Sequence, residues 1–167
     1  MKALIFSDSH GNAEPMRAAI ALHPDAELVL FLGDGLRDAQ TVASEHPKLA
    51  FVSVAGNMDV FSLFSQGTPE ETTLDLDGVR VLLLHGHRRG VKSGEDALYY
   101  LAEEKHADVV LYGHTHIPVC RYVSDTERPF YIFNPGSIGR PHGGDYSYGI
   151  LQIRNKGILL SHGRIDR

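Results

Sequence analysis

Cysteine is all but missing from this 167-residue chain: its one thiol, Cys120, can close no intramolecular disulfide, and no cysteine-based zinc module can be built around it. Long apolar runs are missing as well. No stretch nears the roughly 20 apolar residues that a membrane span requires, and the run Ala3 to Phe6 gives way to Ser7-Asp8 too early for a signal peptide. Positive charge is the third shortage. Sixteen Lys and Arg stand against 21 Asp and Glu, a formal net charge of -5, and the basic residues are scattered along the chain. A long nucleic-acid duplex favours a basic face, so it is not an expected partner. These shortages predict a cytoplasmic protein with no membrane association. A small anion remains an acceptable ligand, provided that something locally positive receives it.

What the chain does have is apolar sequence cut into short pieces. At 43% hydrophobic it is long enough for one sizeable core, and residues 1–167 read as one domain. The first half alternates strand-like runs (Leu4 to Phe6, Leu28 to Leu32, Leu49 to Val54) with helical patterns (Ala13 to Leu22, Leu36 to Glu45). That alternation marks βαβ units around a parallel sheet. Thr72 to Leu76 and Val79 to Leu84 flank Asp77-Gly78, the signature of a tight antiparallel turn. A helix over Gly94 to His106 leads into a strand at Asp108 to Tyr112. Four more strands are expected at Val119 to Val123, Phe130 to Phe133, Tyr148 to Ile153 and Ile158 to His162. So many strands require two sheets, and the fold class is α/β.

Five places share one grammar, in which an apolar strand ends and a loop rich in glycine follows with carboxylate, amide or imidazole groups. They are Asp8-Ser9-His10, Gly33-Asp34, Gly56-Asn57, His85, and Gly113-His114-Thr115-His116. Ligands of open α/β sheets bind at the carboxyl ends of strands. Singly, each is commonplace in a loop; together they bring two carboxylates, one amide and four imidazoles to one edge. Oxygen and imidazole ligands without thiolate suit manganese, iron, nickel, cobalt or zinc better than calcium or magnesium alone. Seven ligands exceed the needs of one ion. Two divalent ions carry four positive charges, of which the two carboxylates cancel two, so an acidic protein acquires a cationic centre.

In order and spacing these motifs resemble the signature of the calcineurin-like metallophosphoesterase superfamily, D-x-H, G-D, G-N, H and G-H-x-H, over about residues 4 to 138. The compact length and Asn134-Pro135-Gly136-Ser137 are most similar to its small YfcE-like phosphodiesterase branch. The resemblance implies a four-layer α-β-β-α sandwich with two mixed sheets. It implies a binuclear centre in which Asp8, His10, Asp34 and His116 hold one ion and Asp34, Asn57, His85 and His114 the other. Manganese is expected first, with nickel, cobalt, iron or zinc as alternatives. Asp34, Asn57 and His85 would serve catalysis as well as ligation. A metal-bridging hydroxide would attack a small phosphodiester, making the chain a phosphoric diester hydrolase.

One position departs from the family pattern: Met58 follows Asn57 where many larger members carry a proton-donating His, and a thioether donates no proton. Esters with acidic leaving groups should then react best. His87 is a candidate substitute, against a plain loop histidine, and Asp59 a candidate to orient a neighbour or to bind water. Asn12 and Arg140 are candidate substrate contacts, against the simpler readings of a helix cap for Asn12 and a solvent-facing loop for Arg140. The rival function is a non-catalytic metal-binding scaffold, since the superfamily contains a coat-complex subunit of similar size. Phosphomonoesterase and nucleotide pyrophosphatase would use the same core. Self-association stays open: aromatics around Tyr146 and Tyr148 suit either an interface or strand packing.

Overall fold

The computed structural model describes residues 1–60 and 62–167. Two five-stranded mixed sheets lie face to face. The first runs in the order β10-β9-β1-β2-β3, built from β1 (Lys2–Phe6), β2 (Leu28–Phe31), β3 (Ala50–Ser53), β9 (Tyr146–Arg154) and β10 (Gly157–Ile165). The second runs β4-β5-β6-β8-β7, from β4 (Glu71–Leu76), β5 (Val79–Leu84), β6 (Val109–Tyr112), β7 (Val119–Val123) and β8 (Phe130–Asn134). Strands β1, β2 and β3 are parallel, as are β5, β6 and β8; the remaining pairs, including the β4–β5 hairpin around Asp77-Gly78, are antiparallel.

The side-chain period of two explains the layers. From β1, Ala3 and Ile5 point into the space between the sheets, where they meet Leu30, Val81, Leu83, Leu111 and Phe133. Leu4 and Phe6 point the other way, onto Met16, Ala19 and Ile20 of α1 (Glu14–Ala21) and Leu36, Ala39 and Val42 of α2 (Leu36–Glu45). On the far side, Leu82, Leu84, Val110 and Ile132 pack beneath Leu98, Leu101 and Ala102 of α3 (Asp96–Lys105). The order is therefore α-β-β-α, as the motif resemblance implied. Strands buried on both faces must be apolar at every position, and β2 (Leu-Val-Leu-Phe) and β6 (Val-Val-Leu-Tyr) are.

The C-terminal hairpin differs from expectation. Strands β9 and β10 each run nine residues, longer than the apolar cores Tyr148 to Ile153 and Ile158 to His162 suggest. Their ends are polar because β10 is an edge strand with one face towards water. Tyr148 is buried, packs on Phe6 and shares a hydrogen bond with His23 (2.9 Å), so strand packing accounts for it.

Candidate metal centre

Parallel pairing carries the ligand loops to one place. The β1–β2 ladder continues past the strands: Leu32 N–H donates to Phe6 O (2.8 Å), Asp8 N–H to Gly33 O (3.0 Å) and His10 N–H to Asp34 O (3.1 Å). In the other sheet Gly113 N–H donates to His85 O (3.1 Å) just beyond the Leu84–Tyr112 pair. The two edges are then joined, because Asp8 Oδ2 accepts from Ser7 Oγ (2.6 Å) and from His114 N–H (3.0 Å). The glycines of the motifs have a packing reason. A Cβ on Gly113 would overlap Ser7 Oγ, and one on Gly33, which has φ +94°, would strike the Gly56 backbone.

Backbone strain gathers at the same loops. Asp8, His10, Asp34, His114 and His116 all have φ between 47° and 67°, five of the nine non-glycine residues with positive φ among those described. Each costs about 1–2 kcal/mol, and such strain persists where the surroundings over-determine a functional geometry.

The side chains converge in two groups, Asp8 with His10 and His116, and Asp34 with His85 and His114; within each, one ligand atom per residue lies within 4.8 Å of the others. Asp34 Oδ2 lies between the groups, 3.4 Å from His85 Nε2 and 3.9 Å from His10 Nε2. Asn57 Oδ1 joins the second group at 3.2 Å from His85 Nε2.

These residues fit divalent cations. His85 Nδ1–H can only donate to Leu32 O (2.7 Å), and His116 Nδ1–H only to Arg140 O (2.6 Å), so each neutral ring presents its Nε2 lone pair inward. There His116 Nε2 faces His10 Nε2 at 3.2 Å, and His85 Nε2 faces His114 Nδ1 at 3.2 Å. Acceptors so arranged repel one another unless a cation or a proton lies between them. Asp8 Oδ1 is buried with no hydrogen-bond partner among the described residues, a cost of about 1–3 kcal/mol that a cation would remove.

The electrostatics point the same way. Burial opposes charge on Asp8, but His10, His116, His85 and Ser7 outweigh it and hold the carboxyl well below the usual carboxylate range. Asp34 is lowered, too: burial raises it, while His85 and the Met58 N–H lower it further. Burial opposes a proton on His85, yet Asp34 and Asp8 raise it; Asp8, whose Oδ1 lies 3.2 Å from His116 Nε2, raises His116 against burial. His114 is pushed down to about 4 by burial, then by the charges of His85 and Lys92, and is neutral at physiological pH. Carboxylates held ionised opposite imidazole lone pairs make a pocket whose negative charge divalent cations would neutralise.

A second set of residues, poorly visible in the sequence, holds the loops in place. Asp59 is buried and accepts from Asp34 N–H (2.8 Å), Gly56 N–H (2.9 Å), Gly35 N–H (3.0 Å) and Leu36 N–H (3.0 Å). Asp38 Oδ2 accepts from Ser9 Oγ (2.6 Å) and Gly11 N–H (2.8 Å). Ser137 Oγ donates to Asp8 O (2.8 Å), and Asn134 Nδ2 to Gly113 O (2.9 Å), so the Asn134 to Ser137 turn ties together the loops after β1 and β6.

The remaining sequence candidates fall in different places. The His87 ring lies 5.5 Å from that of His85 and 6.2 Å from that of His114, beside the second group. Burial and then the charge of His85 lower its pKa. Met58, 67% exposed, stands where the resemblance left a proton donor missing. Asn12 caps no helix: α1 begins after Ala13, which makes no side-chain cap bond, and Asn12 Nδ2 instead donates to Tyr146 Oη (3.3 Å). Arg140 reaches the centre through its carbonyl, while the residue as a whole is exposed.

Comparison with known proteins agrees with this geometry. The family model for the calcineurin-like phosphoesterase superfamily domain matches residues 1–156. The chain is 36% identical over 157 residues to Probable metallophosphoesterase YsnB of Bacillus subtilis, covering 93% of this chain and 86% of that protein. It is 30% identical over 172 residues to Phosphodiesterase YfcE of Escherichia coli K12, covering 90% and 87%. The solved structure of an archaeal phosphodiesterase superposes with a TM-score of 0.74 at 26% identity, over 97% of this chain and 99% of that one. By sequence, fold and the loops its strands present, the chain belongs to the calcineurin-like phosphoesterase superfamily.

Proposed function

We propose that the chain hydrolyses a small phosphodiester at a centre of two divalent ions, manganese being the first candidate. The observation that carries this reading is the pair of ligand groups with Asp34 Oδ2 between them. Asp8, His10, Asp34 and His116 would hold one ion, and Asp34, Asn57, His85 and His114 the other. Two ions held there would supply positive charge to phosphate oxygens and lower the pKa of a water molecule enough for attack at neutral pH. The protein's own part is orientation. Leu32 O and Arg140 O fix which nitrogens of His85 and His116 face the ions, and the Met58 N–H on Asp34 Oδ1 (2.7 Å) leaves Oδ2 free to face both groups. Four imidazoles and an amide against only two carboxylates leave the loaded centre cationic, suited to an anion inside an acidic chain. One exposed thiol, Cys120, suits a reducing compartment, and the cytoplasm is the proposed location.

Diesters are preferred over monoesters because no proton donor follows Asn57. A diester carrying a good leaving group departs unprotonated, whereas a monoester dianion gains more from an acid. Metal-stripped protein restored with manganese should hydrolyse bis(p-nitrophenyl) phosphate at least about tenfold faster than p-nitrophenyl phosphate. Steady-state rates on both substrates check this, and a faster monoester would overturn the diester assignment.

A further inference from the structure

The segment between β8 and β9 is fixed against the centre at both ends. Ile138 N–H donates to Ser7 O (3.0 Å) and Gly139 N–H to Asp8 O (3.3 Å), and a Cβ on Gly139 would overlap Ser9 O, so the chain runs in close contact with the loop after β1. Arg140 N–H then donates to Ser137 Oγ (2.7 Å), while Arg140 O accepts from His116 Nδ1 (2.6 Å). At the far end Ser147 N–H donates to Ser137 O (3.1 Å). Residues 141–145 span the gap between these anchors, and just past Arg140 and Pro141 stands His142.

The His142 ring lies against that of His116, 5.3 Å between centroids and tilted by 36°, and His116 in turn lies 5.1 Å from His10. Three imidazoles thus stand in a row, of which the first two belong to the group that includes Asp8. The third joins neither ligand group, is exposed, and makes no side-chain hydrogen bond or ion pair among the described residues. Nor is it needed to orient His116, whose ring is already held by Arg140 O. A neutral imidazole keeps one N–H whichever tautomer it adopts. That donor, on a ring in contact with a ligand ring and beside a site built for an anion, is free to meet an oxygen of the anion.

We propose that His142 is a substrate-binding residue whose ring N–H donates to a phosphate oxygen of the bound diester from the side of the Asp8, His10 and His116 group. The assignment rests on the phosphodiesterase reading for its substrate, though the binding it describes is measurable alone. The ions would supply most of the attraction; His142 adds a directed bond, because the anchored ends of its loop restrict where the ring can stand. The bond needs neither a charge on the ring nor a proton transfer. Substrate and transition state gain from it alike, so it acts on binding and leaves the chemical step unchanged.

The test uses manganese-loaded full-length protein with inorganic phosphate as the probe, titrated calorimetrically, beside KM and kcat for bis(p-nitrophenyl) phosphate. His142→Ala should weaken phosphate binding and raise KM by about tenfold each, the loss expected for one hydrogen bond to a charged group. Manganese content should stay unchanged and kcat should move by less than about twofold. His142→Gln, which keeps an N–H donor, should recover most of both losses, whereas His142→Phe, which keeps only a ring, should stay as weak as alanine. Equal phosphate affinity in His142→Ala and wild type would overturn the assignment. So would recovery by phenylalanine in place of glutamine, which would make the ring a packing partner of His116, or loss of manganese from the alanine variant. If wild type hydrolyses no diester while phosphate binding still depends on His142, the hydrolase reading fails and the binding assignment stands.

Discussion

Replacing Asp59 with alanine should destabilise the protein by about 3–4 kcal/mol, a loss large for one side chain that forms no part of the apolar core. Its carboxylate accepts four backbone N–H groups from two separate loops, and it is only 4% exposed. Two of those donors, Gly35 and Leu36, open α2, whose N-cap position is a glycine that caps nothing. Asp59 therefore supplies from 23 residues away the acceptor and negative charge that a helix N-terminus attracts. The other two donors, Asp34 and Gly56, place one proposed metal ligand and the residue before another, Asn57. Alanine leaves these N–H groups unpaired in a site where water has limited access. Asp59→Asn keeps one accepting oxygen and should lose roughly half as much. Denaturant titrations of the metal-free proteins check both values, and manganese affinity should fall in parallel. A midpoint for Asp59→Ala equal to that of wild type would remove Asp59 from the framework.

Asp34→Asn should leave the fold intact and lower turnover by about a thousandfold or more. The amide oxygen can keep the Met58 N–H bond, which turns the Nδ2 donor towards His85 and His10, where an accepting carboxylate stood. The substitution also removes one of two carboxylates that repel each other, since Asp8 opposes charge on Asp34. The lowered pKa of Asp34 nevertheless marks a carboxylate that the fold favours at neutral pH, so metal-free Asp34→Asn should unfold somewhat more easily than wild type but clearly less easily than Asp59→Ala, while metal content and steady-state rate both drop. Loss of rate with stability largely retained separates a ligand from a structural residue. A variant that unfolds as readily as Asp59→Ala would contradict the role given to Asp34.

The parts of the fold and site that are legible in the sequence share a local cause. Buried parallel strands are apolar at every position, so β2 and β6 appear as unbroken runs, and the glycine with a polar residue at each run's end marks where the chain must turn tightly beside another loop. Gly33-Asp34, Gly56-Asn57 and Gly113-His114 are visible for this reason. What the sequence hides depends on partners far along the chain. Nothing near Asp59 shows that it will hold residues 34 to 36, and nothing near Ser137 shows that it will take Asp8 O. Asn12 carries a cap's side chain next to a helix, yet the helix starts two residues later, and a tyrosine hydroxyl from β9 takes the amide instead. The hairpin of β9 and β10 turns through Asn155-Lys156, both at positive φ, without the Asn-Gly pair that would have announced it.

Counting ions tests the central claim most directly. Manganese titrated into metal-free wild-type protein, with bound metal and hydrolysis of bis(p-nitrophenyl) phosphate read on the same samples, should saturate at two ions per chain. Turnover should appear as the second site fills. Saturation at a single ion with full turnover would contradict the paired-group account, and two bound ions without any turnover would leave a metal-binding scaffold in place of an enzyme.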